Sequence, residues 1–135
     1  MAPSAKFVAH DGIHRLLNNK YQTGEFVEKV GCIEIMDNVF ISSNVTILYN
    51  TRIGSNVIIG ANSVVNKDLP GNAVYAGTPA RRICGFDEYV EKRRKYSEDF
   101  RSKFGIKQVH GVDKLLATRL REDFIKQREN EHTDV

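Results

Sequence analysis

A six-residue repeat between Ile35 and Leu69 constrains the fold of this chain more than any other feature. A β-branched apolar residue recurs at every sixth position, in the series Ile35, Ile41, Ile47, Ile53, Ile59 and Val65. A period of six matches neither the two-residue period of a strand nor the 3.6-residue period of a helix. A short fixed repeat instead predicts a solenoid, in which each unit buries its apolar side chain only by stacking on neighbouring units.

Two further series accompany the first. A small or apolar residue follows each inward position four residues later, in the series Val39, Val45, Thr51, Val57, Ser63 and Leu69. Between them stand Asn38, Asn44, Asn50, Asn56 and Asn62, followed by Asp68. We interpret each hexad as a short strand and a turn, with asparagine in the turn because it tolerates a left-handed backbone. Three hexads would form one coil of about 18 residues, and coils would stack at about 4.8 Å. The predicted vertical pairs are Ile35 over Ile53, Ile41 over Ile59 and Ile47 over Val65.

Length and composition exclude several classes of protein. The 135 residues suit one domain, and 41% hydrophobic with 27% charged residues is ordinary for a soluble protein. No apolar run approaches the roughly 18 residues of a membrane span, and the first residues lack the apolar core of a secretory signal. Two cysteines, Cys32 and Cys84, are too few for a disulfide scaffold. We therefore expect a cytoplasmic protein. We expect no nucleic-acid partner, because the net charge is only +3.

The chain outside the repeat divides into three segments. Residues 6–10 are interpreted as a strand of an earlier coil, and we expect the chain to begin part-way through a longer solenoid. The hexad frame is lost over residues 11–31, which predicts an excursion loop from one corner, with a hairpin through residues 21–30. Helical spacing of apolar residues begins after residue 85. It predicts one helix ending near Gly105 and a second beginning near Asp113. The predicted domains are residues 1–84 and 85–135.

Two motifs at the end of the repeat carry a resemblance to a known family. They are Ile-Gly-Ala-Asn-Ser-Val-Val-Asn-Lys-Asp-Leu-Pro at residues 59–70 and Val-Tyr-Ala-Gly-Thr-Pro-Ala-Arg at residues 74–81. With the hexads, they resemble the hexapeptide-repeat acyltransferases, and within them the bacterial sugar and xenobiotic O-acetyltransferases. The resemblance covers about residues 6–84. It implies a mainly β fold, a left-handed parallel β-helix with an α-helical C-terminal extension. The left hand comes from the resemblance alone, since crossovers between parallel strands are otherwise right-handed in about 98% of cases.

The resemblance implies a co-substrate, an assembly and its contact residues. In the family, acetyl-coenzyme A lies in a cleft between neighbouring subunits of a homotrimer, and no metal takes part. By position, Ser43 and Ala61 match small residues that contact the coenzyme, and Lys67 matches a basic residue near its phosphates. An arginine expected after the turn is replaced by Cys84. Arg81 or Arg82 could substitute for it, and an ordinary exposed turn lysine remains the alternative reading of Lys67.

The resemblance also implies an acid–base residue near the start of the chain. His10 matches the family's general base, and an imidazole is suited to this because it ordinarily titrates near pH 6.5. Asp11 is interpreted as a residue that orients an imidazole ring, as a sugar contact or as a turn residue. Phe40 stands where relatives often carry tryptophan beside the acceptor, although coil packing explains it equally well. His14 is a second, less favoured histidine.

The predicted function is transfer of an acetyl group from acetyl-coenzyme A to a hydroxyl of a saccharide or saccharide precursor. The enzymatic alternatives are N-acetylation of an amino-sugar nucleotide and acetylation of an antibiotic. The alternative of another class is a catalytically silent assembly or a carbohydrate-binding solenoid. A solenoid carbonic anhydrase is rejected because it needs three converging histidines, and two of the four, His110 and His132, lie in the predicted helical extension.

Overall fold

A computed structural model describes residues 1–105 and 111–131, and the chain divides into two compact units, residues 1–91 and residues 92–135. Outside the repeat, the strands of the first unit are β1 (Lys6–Val8), β2 (His10–Asp11) and β3 (Lys29–Val30) before it, and β10 (Ala73–Ala76) and β11 (Arg81–Gly85) after it. Within the repeat they are β4 (Ile33–Ile35), β5 (Val39–Ile41), β6 (Thr46–Leu48), β7 (Thr51–Ile53), β8 (Val57–Ile59) and β9 (Val64–Val65). The helices are α1 (Ile13–Tyr21), α2 (Phe86–Phe104) and α3 (Lys114–Glu131).

Three parallel strand pairs show that the hexads stack in regular coils, with three hexads to each coil. β4 pairs with β7, β5 with β8, and β6 with β9, always in parallel. The paired residues include Ile35 with Ile53, Ile41 with Ile59, and Ile47 with Val65. The vertical pairs predicted from the sequence are therefore confirmed, and residues 33–69 are called the hexad stack below.

The inward apolar series forms the core of the hexad stack. The side chains of Ile47, Ile53, Ile59 and Val65 are 0% exposed. Ile35, the first member of the series, is 37% exposed. It is exposed because β4 belongs to a two-stranded sheet with β7 and has no strand on its outer side within the described residues. An inward residue is thus buried where a neighbouring coil covers it.

The turn asparagines have the backbone conformation that the repeat predicts. Asn38, Asn44, Asn50, Asn56 and Asn62 have φ angles between 56° and 60°. A left-handed conformation costs most residues roughly 1–2 kcal/mol, whereas asparagine adopts it at lower cost. The side chains also bond between coils, since Asn44 Nδ2 donates to Asn62 Oδ1 at 2.8 Å and Asn38 Nδ2 donates to Asn56 Oδ1 at 3.3 Å. Asparagine therefore sets the backbone conformation of these turns, and Asn38 and Asn44 also bond to the next coil.

The last coil is shorter than the others. Leu69 lies in register with Ile53, and Ala73 of β10 lies in register with Val57. In both pairs, the partners are closer in sequence than the paired residues of the hexads are. The shortening brings the backbone of Gly71 against Gly54, where an added Cβ would lie 2.5 Å from the Gly71 nitrogen. β10 then pairs antiparallel with β11, which ends the four-stranded sheet.

The excursion between β1 and β4 differs from the prediction. β1 confirms a strand of the preceding coil, because Phe7 lies in parallel register with Ile47. The predicted hairpin through residues 21–30 is wrong. The one strand in that range is β3, whose antiparallel partner is β2, and the segment between the two strands begins with helix α1. Asn18 holds the returning chain against this helix, because its amide donates to the Phe26 carbonyl at 2.9 Å and accepts from the Phe26 N–H at 3.1 Å.

The second unit contains most of α2 and all of α3 within its described residues. Gly105 ends α2 with a φ angle of 63°, and the Asp113 carboxylate accepts a hydrogen bond from the Leu116 N–H at 2.8 Å, so both predicted helix boundaries are confirmed. Phe104 and Leu116 are buried, and Arg119 donates to the Phe104 carbonyl at 2.9 Å. None of the described helices is long and apolar enough to cross a membrane.

Candidate functional site

The turn after β10 is bound to the last coil of the hexad stack by hydrogen bonds that explain its sequence. The Gly77 N–H donates to Ser63 Oγ at 3.1 Å, and the same hydroxyl donates to the Gly60 carbonyl at 2.6 Å. The Ala80 N–H donates to the Val64 carbonyl at 2.9 Å, and the Ala80 side chain is buried in the core. Gly77 has a φ angle of 104°, a conformation that favours glycine. The turn therefore has a fixed position relative to Lys67 and the strand β11.

Basic side chains surround a cavity of about 450 Å³ beside this turn. Lys67, Arg81 and Arg82 line it, together with Tyr75 and Pro70 at the base of the last coil. Asp68 also lies at the cavity, and its carboxylate accepts a hydrogen bond from the Arg52 N–H at 2.8 Å. Three cations against one carboxylate make a region that attracts anionic groups. The structure thus places two of the predicted coenzyme contacts, Lys67 and Arg81, in one cavity.

Ser43 and Ala61 lie at the same corner of successive coils. The Asn62 N–H, next to Ala61, donates to the Ser43 carbonyl at 3.1 Å, and both small side chains are exposed. A surface of small side chains lets an extended ligand approach the backbone closely. Their role as coenzyme contacts stays a prediction. Phe40 lies on β5 in register with Ile58, is 52% exposed, and does not line the 450 Å³ cavity.

The imidazole of His10 has a carboxylate partner that the sequence did not reveal. His10 Nδ1 lies 2.9 Å from Glu28 Oε1, and the His10 side chain is 64% exposed. A carboxylate at Nδ1 favours the tautomer that carries its proton there, which leaves the Nε2 lone pair free to accept a proton. Glu28 is distant from His10 in sequence and comes into range only because β2 pairs with β3. No local motif could have identified it.

The two-stranded ribbon of β2 and β3 separates two sets of side chains. His10 is paired with Val30, and Asp11 is paired with Lys29. Since successive side chains of a strand point to opposite faces, His10 and Asp11 lie on opposite faces of the ribbon. His10 and Glu28 occupy one face. Asp11 and Lys29 occupy the other, where they line a second cavity, of about 290 Å³.

Asp11 is held by two hydrogen bonds on its own side of the ribbon. Its Oδ2 accepts from the Tyr49 hydroxyl at 2.7 Å, and its Oδ1 accepts from the Ile13 N–H at 3.2 Å. The hydrogen bond from Tyr49, and secondly that from Ile13, holds the pKa of the Asp11 carboxyl below its usual range. The same bond raises the pKa of the Tyr49 phenol. Tyr49 is a second residue that sequence reasoning missed, because it lies 38 positions from Asp11.

His14 also lines the 290 Å³ cavity, on the first turn of α1. Its Nδ1 atom is buried and has no hydrogen-bond partner within the described part of the chain. His10 does not line this cavity, so the structure places the two candidate histidines in different environments. Among the described residues, no cluster of three or more His, Cys, Asp or Glu side chains could hold a metal ion. His110 and His132 lie outside the described residues.

Comparison with known proteins locates the family resemblance in the hexad stack. Residues 33–67 match the family described as bacterial transferase hexapeptide (six repeats). The comparison with curated proteins found no match.

Solved structures extend the resemblance beyond the repeat. A hexapeptide-repeat-containing acetyltransferase from Vibrio cholerae O1 biovar eltor, complexed with acetyl coenzyme A, is 34% identical, with a TM-score of 0.54 over 64% of this chain and 45% of that one. A maltose O-acetyltransferase from Clostridium difficile 630 is 37% identical, with a TM-score of 0.53 over 63% of this chain and 44% of that one. A galactoside acetyltransferase in complex with coenzyme A is 30% identical, with a TM-score of 0.55 over 84% of this chain and 49% of that one.

The present chain thus spans slightly less than half the length of each of these three proteins. Within that span, the match to the repeat family and the similarity to three acetyltransferases agree. Residues 33–67 thus match the bacterial transferase hexapeptide family, in a chain that is similar to solved hexapeptide-repeat acetyltransferases.

Proposed function

We propose that this protein is an acetyl-coenzyme A-dependent O-acetyltransferase with His10 as its general base. The observation that carries the proposal is the pairing of His10 Nδ1 with Glu28 Oε1 at 2.9 Å, on a ribbon attached to a hexapeptide-repeat stack. The fold that we propose is a left-handed parallel β-helix. Its support is the regular parallel register of three strand pairs, together with the similarity to acetyltransferases of this repeat class.

The proposed roles of His10 and Glu28 follow from the chemistry of an alcohol acceptor. A hydroxyl is a weak nucleophile near neutral pH, so its proton must be removed as its oxygen attacks a carbonyl carbon. His10 would accept that proton at Nε2, while Glu28 holds the ring by accepting the hydrogen bond from Nδ1 and stabilises the imidazolium that forms. Acetyl-coenzyme A supplies the acetyl group as an activated thioester. His10 would return the proton to the departing thiolate, so the residue is neutral again at the end of the cycle.

The residues at the end of the hexad stack fit an anionic co-substrate. Lys67, Arg81 and Arg82 line one cavity and would hold phosphate groups, with the arginines able to bond two oxygens at once. Ser43 and Ala61, at one exposed corner, would contact the extended arm of the coenzyme. Arg81 or Arg82 would take the role of the arginine that the family resemblance places at position 84, where this chain has a buried cysteine.

The acceptor is proposed to be a hydroxyl of a saccharide or saccharide precursor, because two similar structures are a maltose and a galactoside acetyltransferase. Asp11 and Phe40 stay candidate acceptor contacts. The working assembly is proposed to be a homotrimer in the cytoplasm. A shared cleft would bring His10 of one subunit to the basic cavity of another, since His10 does not line that cavity within one chain.

The central test measures thiol release from acetyl-coenzyme A against a panel of maltose, galactosides, amino sugars and hydroxylated antibiotics. His10→Ala is expected to lower kcat by about 10²–10⁴-fold with little change in coenzyme affinity, because only proton removal is lost. Glu28→Gln keeps the size of the side chain but loses its charge, and should lower kcat by a smaller factor. His14→Ala should lower kcat much less than His10→Ala.

Specific results would contradict this assignment. If His14→Ala is inactive and His10→Ala is active, the wrong histidine has been chosen. If both variants keep full activity, the base mechanism is wrong. If the wild-type protein binds acetyl-coenzyme A or a sugar but transfers nothing to any acceptor, the chain is a binding module. If amino sugars alone are modified, the reaction is N-acetylation.

A second test addresses the basic cavity. Lys67→Ala is expected to raise the KM for acetyl-coenzyme A, by a factor that shrinks at high salt because ions screen the lost attraction. Lys6→Ala removes a lysine of β1 that does not line this cavity, and serves as the matched control. An unchanged KM in Lys67→Ala would make Lys67 an ordinary exposed turn residue.

Light scattering of the wild-type protein at micromolar concentration tests the proposed trimer. A stable monomer would exclude it.

A further inference from the structure

The ribbon of β2 and β3, on which His10 meets Glu28, is a two-stranded sheet of its own and not part of the stacked coils. Each strand contributes only two residues, His10–Asp11 on β2 and Lys29–Val30 on β3. An isolated two-stranded sheet is at best marginally stable in water. The positions of His10 and Glu28 therefore depend on what holds the ribbon to the hexad stack.

Tyr49 of the hexad stack contacts both strands of the ribbon. Its hydroxyl donates a hydrogen bond to Asp11 Oδ2 at 2.7 Å, and the Lys29 ammonium lies 5.5 Å from the centroid of its ring. A hydrogen bond to a carboxylate is roughly twice as strong as one between neutral groups, and the ammonium is within the range of a cation–π contact. Asp11 and Lys29 are cross-strand partners, so one side chain holds both strands at the same level.

The two residues that Tyr49 contacts are the chain neighbours of the proposed catalytic pair. Asp11 follows His10, and Lys29 follows Glu28. Because successive side chains of a strand point to opposite faces, Tyr49 holds the ribbon from one face while His10 and Glu28 meet on the other. A displacement of one strand relative to the other would change the 2.9 Å distance between His10 Nδ1 and Glu28 Oε1.

The base of the ribbon has an attachment of its own. The Gly31 N–H donates to the Ala9 carbonyl at 2.9 Å, and a Cβ added to Gly31 would lie 2.2 Å from Asn50 Oδ1, so the chain here lies directly against the stack. Glu28 lies at the other end of the ribbon, beyond Lys29. Tyr49 is therefore the contact that restrains the end from which Glu28 reaches His10.

The ring of Tyr49 is not fixed by packing alone. It is half-buried and lines the 290 Å³ cavity, so open space lies along one side of it. Its hydrogen bond to Asp11 supplies the restraint that close packing does not. Asp11 has one further hydrogen bond, from the Ile13 N–H at 3.2 Å. Removal of the Tyr49 hydroxyl would free the ring and leave Asp11 with the bond from Ile13.

From these contacts we propose that Tyr49 is a positioning residue for acetyl transfer, which holds Asp11 and Lys29 so that the Glu28 carboxylate stays at His10 Nδ1. The Nε2 lone pair of His10 is then kept free and directed at the acceptor. This inference rests on the proposed function, in which His10 is the general base. Tyr49 acts through the ribbon and takes no part in the proton transfer itself.

The first test compares the kinetics of Tyr49→Phe and the wild type, both as the full chain. Thiol release from acetyl-coenzyme A is measured at saturating acceptor and expressed per folded molecule. A misplacement of about 1 Å can cost about 10²-fold in rate, and a smaller displacement is expected here, so kcat should fall by about tenfold. The KM for acetyl-coenzyme A should not change, because Tyr49 does not line the cavity of Lys67 and Arg81.

Nitrogen-15 NMR of the imidazole gives a second measurement, which does not depend on activity. In alkaline buffer, His10 of the wild type should carry its proton on Nδ1, because Glu28 accepts a hydrogen bond there. In Tyr49→Phe, the population of this tautomer should fall. Tyr21→Phe is the matched control and should behave like the wild type in both measurements. It removes the same hydroxyl from a 59% exposed residue of α1 that does not line the 290 Å³ cavity.

A double variant tests whether Tyr49 acts through Asp11. In an Asp11→Ala background, Tyr49→Phe should lower kcat no further, because the bond between the two residues is already lost. This comparison holds whatever other contact Asp11 makes, since both proteins lack its carboxylate. An equal fall in kcat with and without Asp11 would overturn the proposed route.

The outcomes separate this inference from the proposed function. If the wild type transfers acetyl groups, His10→Ala does not, and Tyr49→Phe matches the wild type, the positioning role is wrong while the proposed function stands. If the wild type transfers nothing, the proposed function fails, and the tautomer of His10 alone decides whether Tyr49 positions its ring. An unchanged tautomer in Tyr49→Phe would then overturn that link. A higher KM for acetyl-coenzyme A with an unchanged kcat would also overturn the inference.

Discussion

The hexad stack and the inserted segment between β2 and β3 differ in how far their apolar side chains are buried. In the stack, the inward side chains pack on their counterparts in the adjacent coil, and four of the six are 0% exposed. In the inserted segment, helix α1 has no buried residue, and Leu16 and Val27 are 66% and 83% exposed. The stack supplies the core of the first unit. The insertion contributes little to that core.

Most of the candidate functional residues lie in the insertion and at the end of the stack, outside the regular coils. His10, Glu28 and the 290 Å³ cavity belong to the insertion and its ribbon. The basic cavity lies where the last coil is shortened and the repeat ends. A regular repeat fills its inward positions with apolar side chains, so polar groups can converge only where the repeat is interrupted. Functional residues are therefore expected at its breaks and corners.

The largest expected effect tests whether stability resides in the stack. Ile53→Ala should lower the free energy of unfolding by about 2–5 kcal/mol, because it leaves a cavity in a fully buried layer. Leu16→Ala, an exposed change of the same kind in the insertion, should change it by less than about 0.5 kcal/mol. Urea unfolding at one fixed protein concentration measures both. Equal losses would show that the insertion is as important to the fold as the stack.

A smaller effect tests the corners of the stack. Asn44→Ala should cost roughly 1–2 kcal/mol, because alanine must adopt the left-handed conformation and cannot bond to Asn62. Asn44→Gly should cost less, since glycine adopts that conformation freely. Asn66→Ala, at an exposed asparagine whose φ is not positive, is the control and should have almost no effect. Thermal unfolding gives the order of the three, and an equal cost for alanine and glycine would remove backbone conformation as the cause.

The smallest effect concerns the join between the two regions, where Tyr49 of the stack bonds to Asp11 of the ribbon. Tyr49→Phe should raise the pKa of Asp11 towards its ordinary value, because the Tyr49 hydroxyl is the main cause of the depression. A depressed carboxyl pKa stabilises the folded state above the unfolded value of about 3.9 and loses that contribution as pH falls through the folded value. The wild type should therefore lose more stability than Tyr49→Phe on acidification below about pH 4.

Carbon-13 NMR of the Asp11 carboxyl follows this titration directly. Tyr21→Phe removes a hydroxyl from the same inserted region without touching the bond to Asp11, and should leave the titration unchanged. An unaltered Asp11 midpoint in Tyr49→Phe would show that the Ile13 N–H, rather than Tyr49, controls the carboxyl.

The sequence predicted most of the stack and little of the insertion. Inward isoleucines, left-handed asparagines and the register between coils all follow from a repeat whose units contact identical units. The hairpin predicted over residues 21–30 is wrong because turn-forming residues alone do not reveal which chain a segment returns to. Here Asn18 binds the Phe26 backbone and returns the chain to helix α1.

By itself, the sequence determined the coil, because β-branched side chains at every sixth position are buried when successive coils stack on one another. It also identified His10, Lys67 and Arg81 as candidates by their places in known motifs. Only the tertiary structure decided that Glu28 meets His10, that Tyr49 meets Asp11, and that His14 lies in a separate cavity. Those contacts join residues from different elements, at separations that follow no period, so they depend on how the chain folds back on itself.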